Sequence, residues 1–405
     1  MMTAKNNTSR LSGKVQHYQW GGFDYIPRLL GADNSSRRPF AEYWLGAHDN
    51  APALLEDGRR LNELIQQQPD VLGKQCREQF GRLPYLLKIL DVKDMLSIQV
   101  HPNKTAALDA FARENAAGIP LTASHRNYKD DNHKPELMVA LGEFWLLHGF
   151  RNPELLLTSV STVPEFAFMP PIFEKNGYQG LYEHLMTLDQ DKVNSILQPL
   201  LERLVPAYQS GSLSKYDPGF WAARAALTYN EPGKTDRGIF SIYLLNLVRL
   251  QRGEAVFQDA GILHAYLEGQ NVEIMANSDN VLRGGLTPKH IDVPELMKHV
   301  SFRPVDPDII KARPINDMES VFVTPAPDFE LSRIMLASGK NYSIDVCGTD
   351  IFFVLKGVAE VNSGSGDVLM LNQGDAFVAF NNTKLEFWSA AGAEIYHAGV
   401  PVAGK

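Results

Sequence analysis

Cysteine is almost absent from these 405 residues: only Cys76 and Cys347 occur, with no CxxC and no finger spacing. That excludes a disulfide scaffold and a thiolate zinc module, and two free thiols fit a reducing compartment. No apolar run approaches the roughly 18 residues of a membrane span. The opening MMTAKNNTSRLSGKV is polar and lacks the apolar core of a signal peptide. Excess positive charge is missing too. The formal net charge is −8, which argues against nucleic acid or an anionic membrane as the main partner. It leaves room for a small phosphorylated metabolite, provided lysine and arginine gather at one pocket. A cytoplasmic protein is expected, at 44% hydrophobic and 21% charged residues of ordinary globular composition.

The chain is long enough for two or three domains. Phe40–Leu45 and Tyr85–Leu90 read as strands, and the latter leads through a polar turn into Leu96–His101. Between them Leu61–Phe80 carries a helical pattern broken by Pro69. The polar stretch Asn103–Asn132 reads as part helix, part loop over a site, and Leu137–Phe150 as a strand pair turning at Gly142-Glu143. From Pro153 to Tyr229 the pattern is helical. Val193, Ile196, Leu197, Leu200, Leu201 and Leu204 recur at helical spacing, with Pro199 expected to kink or divide the segment. Ile239–Leu250 reads as one more apolar helix. From about 320 onward short strands alternate with Gly and Asn turns, as in a jelly roll. The expected fold is therefore mainly β with a helical insertion. A catalytic unit covers 1–152 and 237–315, an all-α unit 153–236, and a C-terminal jelly roll 316–405.

An internal repeat supports two related barrels. Gly253 to His264 matches the cupin spacing of Gly, five residues, Pro, one residue, Gly, two residues, His, with Asp259 replacing the proline. The run from Gly374 repeats it loosely, with Phe380, Asn382 and Leu385 in place of Pro, Gly and His. The first cupin motif, usually His-x-His, is Gln99-x-His101 in one half and Val354-x-Lys356 in the other. One barrel is thus expected to hold a metal and the other to be degenerate.

Four stretches read as one open metal site: Gln99 and His101, two apart and so on one face of a strand; Glu136; and His264, ending a run of β spacing. Imidazole with carboxylate oxygen suits zinc. Only Glu136 offsets the ion's charge, so a strong Lewis acid remains, which points to catalysis. Each ligand alone has a plainer reading, such as a hydrogen-bonded core histidine or a solvated glutamate. Lys134 stands beside Glu136, where a nearby cation would lower its pKa toward use as a base or acid. The stretch Glu273 to Lys289 is polar and glycine-rich. Within it Arg283, next to Gly284-Gly285, would hold a phosphate or a developing enolate oxygen, unless it is a surface residue paired with Asp279.

The segments Tyr128 to Glu136 (YKDDNHKPE), His264-Ala-Tyr-Leu-Glu-Gly and Glu273 to Arg283, running on to Lys289, resemble the two signatures of the type I phosphomannose isomerases. Tyr18-Gln-Trp-Gly21, Phe40 to His48 and Leu83 to Lys88 resemble that family's N-terminal segments. The match spans essentially the whole chain. Arg252 and Asp259 depart from it, standing where prolines are expected. The resemblance implies one zinc ion on Gln99, His101, Glu136 and His264, with Arg283 in the active site. It also implies the helical domain and the C-terminal jelly roll, and the reaction is then reversible conversion of mannose 6-phosphate to fructose 6-phosphate through a cis-enediol. Candidates for the proton-carrying base are Glu273, Lys134, Asp279 and His133; candidates for holding the phosphate are Lys289, Lys104 and Ser97. The expected partner is a small phosphosugar, with no nucleic acid or membrane, acting on a monomer. Two other classes fit less well: a bicupin that senses phosphosugar without turnover, and an iron-dependent cupin oxygenase, whose open coordination positions Gln99 would fill.

Overall fold

The computed structural model describes residues 7–364 and 368–401. It is mainly β with a helical segment, built on two large mixed-order sheets. The chain begins in the sheet that its end completes. Strand Thr8–Ser12 pairs antiparallel with Ala376–Ala379, and Leu54–Leu55 adds to its other side. Most of the first half builds the second sheet, in the order Ile310–Lys311, Glu254–Gln258, Glu136–Ala140, His264–Ala276, Tyr85–Val92, Glu42–Gly46, Lys14–Gln16.

The strand His264–Ala276 organises this half. Its last residues pair with Tyr85–Val92 and Glu136–Ala140, whereas its first residues pair with Ile98–Val100 and Phe144–Phe150. One strand therefore turns from one sheet face to another. A register shift between Tyr266 and Glu268 and a positive φ of 128° at Gly269 make the bend. A Cβ on Gly269 would sit 2.6 Å from the Phe144 ring and 2.7 Å from the Glu143 carbonyl, so glycine is required there. His264 opens this strand instead of ending one; the run before it, Glu254–Gln258, is a separate strand.

Strand alternation decides which side chains reach the site. In Tyr85–Val92 all eight residues are buried. Tyr85, Leu87 and Ile89 face the C-terminal half, packing in one core with Ile351, Phe353 and Val378. The alternate set turns inward, with Leu90 and Val92 packing on Met138, Leu146 and Tyr266. Lys88 belongs to that inward set.

The helical segment runs from Pro153 to Leu244. Asn152, Asp189 and Asp217 cap three of its helices by accepting backbone N–H bonds from Leu155, Lys192 and Gly219. Gln190–Gln209 is one continuous helix, so Pro199 does not divide it. The buried stripe Val193, Ile196, Leu197, Leu200 and Leu201 packs on neighbouring helices on both sides of the proline and outweighs the lost hydrogen bond. The expected helix Ile239–Leu250 is in fact split: Gly238–Leu244 is helical, and Leu245–Leu250 is a strand paired with Phe144–Phe150. A mostly apolar segment broken only by Ser241, Asn246 and Arg249 carries no decisive period, and the neighbouring strand's free backbone groups settle it.

In the C-terminal half Phe352, Val354, Phe377, Leu385, Phe387 and Ile395 form an apolar interior, while Lys356 is exposed. Among the described residues no helix is long and apolar enough to cross a membrane.

Candidate metal centre and active-site cavity

His101, Glu136 and His264 are fully buried, and their ligand atoms lie within 4.8 Å of one another. The protonation of each ring follows from its other nitrogen. His101 Nδ1 lies 2.8 Å from the Asn280 carbonyl and His264 Nδ1 lies 2.8 Å from the Ile262 carbonyl. A carbonyl only accepts, so each Nδ1 carries the proton and each Nε2 presents a lone pair. Burial holds His101 down to about 4, against the pull of Glu136, so its ring is neutral at pH 7. Both Nε2 atoms and Glu136 Oε2 are buried without a hydrogen-bond partner. The lone pairs face the carboxylate at 3.5 Å and 3.3 Å. Three acceptors so close, in a site with no water exposure, fit a cation at their centre, and two imidazoles with a carboxylate suit zinc.

Gln99 stands directly opposite His264 across the sheet and directly opposite Arg283 on its other side. The three therefore share one face, in the order His264, Gln99, Arg283. The Asn280 carbonyl that orients His101 is itself fixed. Its side chain accepts from the Lys129 N–H at 2.7 Å and donates to the carbonyls of Asp130 at 2.8 Å and Asn132 at 2.9 Å. Two further buried polar side chains, His148 opposite His264 and Gln258 opposite Glu136, have no hydrogen-bond partner and extend the polar wall behind the centre.

From Gln99 and Glu136 a cavity of about 850 Å³ opens outward. Its walls include Ser97, Gln99, Lys134, Glu136, Glu273, Asp279, Arg283 and Lys289 from the sequence reading, and Trp20, Thr228 and Tyr229 close its sides. Lys134 Nζ lies 2.9 Å from Glu136 Oε1. Arg283 makes no hydrogen bond or ion pair with any described residue, although burial depresses its pKa. Asp279 is taken by His48 at 3.2 Å, so the alternative of a surface Arg283–Asp279 pair does not hold. Lys289 is an exposed residue on the cavity rim near Arg283, and partial desolvation first, then that neighbour, lowers its pKa.

Two predicted residues do not join the cavity. His133 turns the other way and bonds Asp328 at 2.9 Å, because it alternates with Lys134 on an extended segment. Lys104, in the first turn of the helix Lys104–Ala116, is bonded to the Asn132 side chain.

Glu273, one of the expected bases, belongs to a buried ionic cluster on the cavity wall whose other members, Lys88, Glu42, Trp44 and Tyr266, were not among the expected site residues. Lys88 Nζ lies 3.2 Å from Glu273 Oε1, 3.4 Å from Glu42 Oε2 and 4.9 Å over the Trp44 ring. Tyr266 donates its hydroxyl to Glu273 Oε2 at 2.8 Å, and the Trp44 indole donates to Glu42. Glu273 and Lys88 are direct cross-strand partners, as are Trp44 and Lys88. Burial raises the Glu273 pKa; Lys88 opposes this and Glu136 adds to it. Burial would depress Lys88, but Glu42 and Glu273 outweigh it and keep the ammonium charged. The available signal was a lysine in the middle of an eight-residue run that is otherwise apolar up to Asp91.

Residues 8–153 match the family model described as phosphomannose isomerase type I, catalytic domain. The mannose-6-phosphate isomerase of Escherichia coli (strain K12) is 35% identical over 386 residues, covering 93% of this chain and 96% of the relative. The Homo sapiens mannose-6-phosphate isomerase is 35% identical over 355 residues, covering 80% and 81%. A crystal structure of the Salmonella typhimurium mannose 6-phosphate isomerase, bound to fructose 6-phosphate and zinc, superposes with a TM-score of 0.86 at 32% identity, covering 98% of this chain and 100% of that one.

Proposed function

The chain belongs to the type I phosphomannose isomerases and interconverts mannose 6-phosphate and fructose 6-phosphate with zinc, and from that premise we propose how its own residues divide the work. The supporting observation is the convergence of two unpartnered imidazole lone pairs and a buried carboxylate at the inner end of a cavity that also holds an unpaired arginine. On this reading the zinc-bearing half, 1–152 with 237–315, and the C-terminal half, 316–405, are two cupin-like jelly rolls, the second degenerate, with 153–236 inserted. The enzyme works as a cytoplasmic monomer on one small phosphosugar.

Gln99, His101, Glu136 and His264 are the proposed ligands; the ion, when bound, supplies positive charge that acidifies the carbon next to the sugar carbonyl. Isomerisation then removes the proton from C2, leaves an enediol, and returns a proton at C1. Glu273 is proposed to carry it. Of the four candidates, His133 faces away, Asp279 is held low by His48 despite its burial, and Lys134 is bound to a ligand carboxylate. Glu273 alone combines a raised pKa with a fixed place on the wall, between Lys88 and Tyr266. Arg283 is proposed to face the oxygen on which negative charge builds, since its guanidinium is unspent on any protein anion. Lys289 and Ser97, at the cavity wall, are proposed to receive the phosphate, whose binding positions the sugar.

A coupled assay of mannose 6-phosphate against fructose 6-phosphate tests the function. Turnover is expected to vanish with a chelator and return with added zinc; turnover indifferent to chelator would sink the assignment. For Arg283→Ala, kcat is expected to fall roughly 10²- to 10³-fold, the scale for one preorganised charged donor, with normal zinc content and a KM that moves little. A raised KM at unchanged kcat would make Arg283 a phosphate clamp instead. Arg283→Lys should recover only part of the activity, because the planar fork is lost.

A further inference from the structure

The helical segment meets the zinc-bearing half at Arg151, directly after the strand Phe144–Phe150, and a second cavity of about 440 Å³ opens there. Three polar groups on its walls have no partner among the described residues. Arg151 Nε is buried without a hydrogen bond, and the Arg151 side chain makes no ion pair. Ser159 Oγ is likewise buried and unbonded. Tyr243 is 97% buried by its 3% relative exposure, and its hydroxyl has no hydrogen bond. Thr158 and Thr162 add hydroxyls to the same wall.

Arg151 is partly buried, and its Nε is shut off from solvent with no acceptor, which costs free energy because a guanidinium stays charged at any working pH. Arg151 resembles Arg283 in that burial lowers the pKa of each and no anion among the described residues pairs with either. In the main cavity that unspent charge faces the substrate. The other charged groups on this second wall are already committed. Arg203 Nη2 donates to both Glu165 oxygens at 2.7 Å and 2.6 Å, and Asp217 accepts from the Gly219 N–H at 2.7 Å. They leave the unpaired charge of Arg151, with the unbonded Ser159 and Tyr243 hydroxyls on the same walls, in a space large enough for a small metabolite.

We propose that this cavity is a second anion site, separate from the isomerase site, which takes a phosphate group on Arg151 with Ser159 and Tyr243 as hydroxyl donors. The phosphate is either free or the head of a small monoester. Charge-assisted hydrogen bonds of a planar fork to phosphate oxygens are the chemistry that satisfies the buried Nε.

The test uses zinc-loaded enzyme and two probes, inorganic phosphate and glycerol phosphate. Hydrogen exchange read by mass spectrometry separates this site from the active site. Added probe is expected to protect the amides of Glu154–Ser161 as well as any strands of the main cavity. Arg151→Gln should weaken that protection roughly ten- to hundredfold, the scale for losing a charged hydrogen-bond partner, with isomerase kcat unchanged. Protection by glycerol phosphate alone would assign the site to monoesters; protection by both would assign it to the phosphate group itself. Thr158→Trp, which fills the cavity from an exposed helix position and keeps Arg151, should abolish protection even if Arg151→Gln fails to fold. Wild-type enzyme showing no protection of Glu154–Ser161 with either probe, or Thr158→Trp protected like wild type, would overturn the proposal.

Discussion

Replacing His264 or His101 with alanine is expected to remove zinc and turnover together, while the apo fold survives. The centre sets two imidazole lone pairs 3.5 Å and 3.3 Å from a carboxylate, an arrangement of acceptors that a cation would satisfy. Under the proposed ligand set, deleting one imidazole takes away a ligand and also relieves one of those contacts. The consequence separates a ligand from a merely structural histidine. Zinc stabilises wild type by binding only the folded state, so a chelator should lower its Tm. In His264→Ala the chelator should leave Tm where it is, and that Tm should lie near the chelated wild-type value. Glu136→Gln removes the one ligand charge and leaves Lys134 Nζ without its anion at 2.9 Å, so it should weaken zinc more than it weakens the fold. Stoichiometric zinc and full turnover in purified His264→Ala would show that His264 is not a ligand.

Much of this centre is legible in the chain because its residues keep strand parity. Gln99 and His101 lie two apart, and so do Lys134 and Glu136; both pairs land on one side of their segments. The same rule, applied one step further, removes His133, which alternates with Lys134 and reaches Asp328 instead. Lys104 shows the limit of nearness in sequence, since a helix turn aims it at Asn132. Pairings between distant segments could not be read at all. Thr8–Ser12 sits beside Ala376–Ala379, and no local pattern announces a partner so far along the chain. The cluster of Lys88, Glu42 and Glu273 was hidden for the same reason. Each looks like an isolated charge until register sets Lys88 opposite both Glu273 and Trp44. The Leu245–Leu250 strand failed differently: six residues, four of them apolar, following directly on the apolar helix Gly238–Leu244 are too few to show a change of period, and the helix-or-strand outcome is decided by what lies next to them.

Glu273→Gln should reduce kcat by roughly 10²- to 10⁴-fold, the range for a positioned general base, with zinc content intact and KM within a few-fold of wild type. The amide keeps the size of the side chain and its contact with Tyr266 but takes up no proton. Exchange of the sugar's C1 and C2 hydrogens with solvent deuterium should fall by the same factor, which a loss of positioning alone would not require. The pH profile gives a second reading with a defined sign. Burial raises the Glu273 pKa above the ordinary carboxylate value, and the base must be ionised to act. Activity should therefore fall as pH drops through that raised value. Lys88 is the main force opposing the rise, at 3.2 Å from Oε1. Lys88→Met removes that force, so the acidic limb of kcat should move to higher pH. Its zinc should stay in place, because Lys88 touches no proposed ligand. A limb that stays put in Lys88→Met, together with near-normal kcat in Glu273→Gln, would strip Glu273 of the role and leave Lys134, beside the metal, as the remaining carrier of the proton.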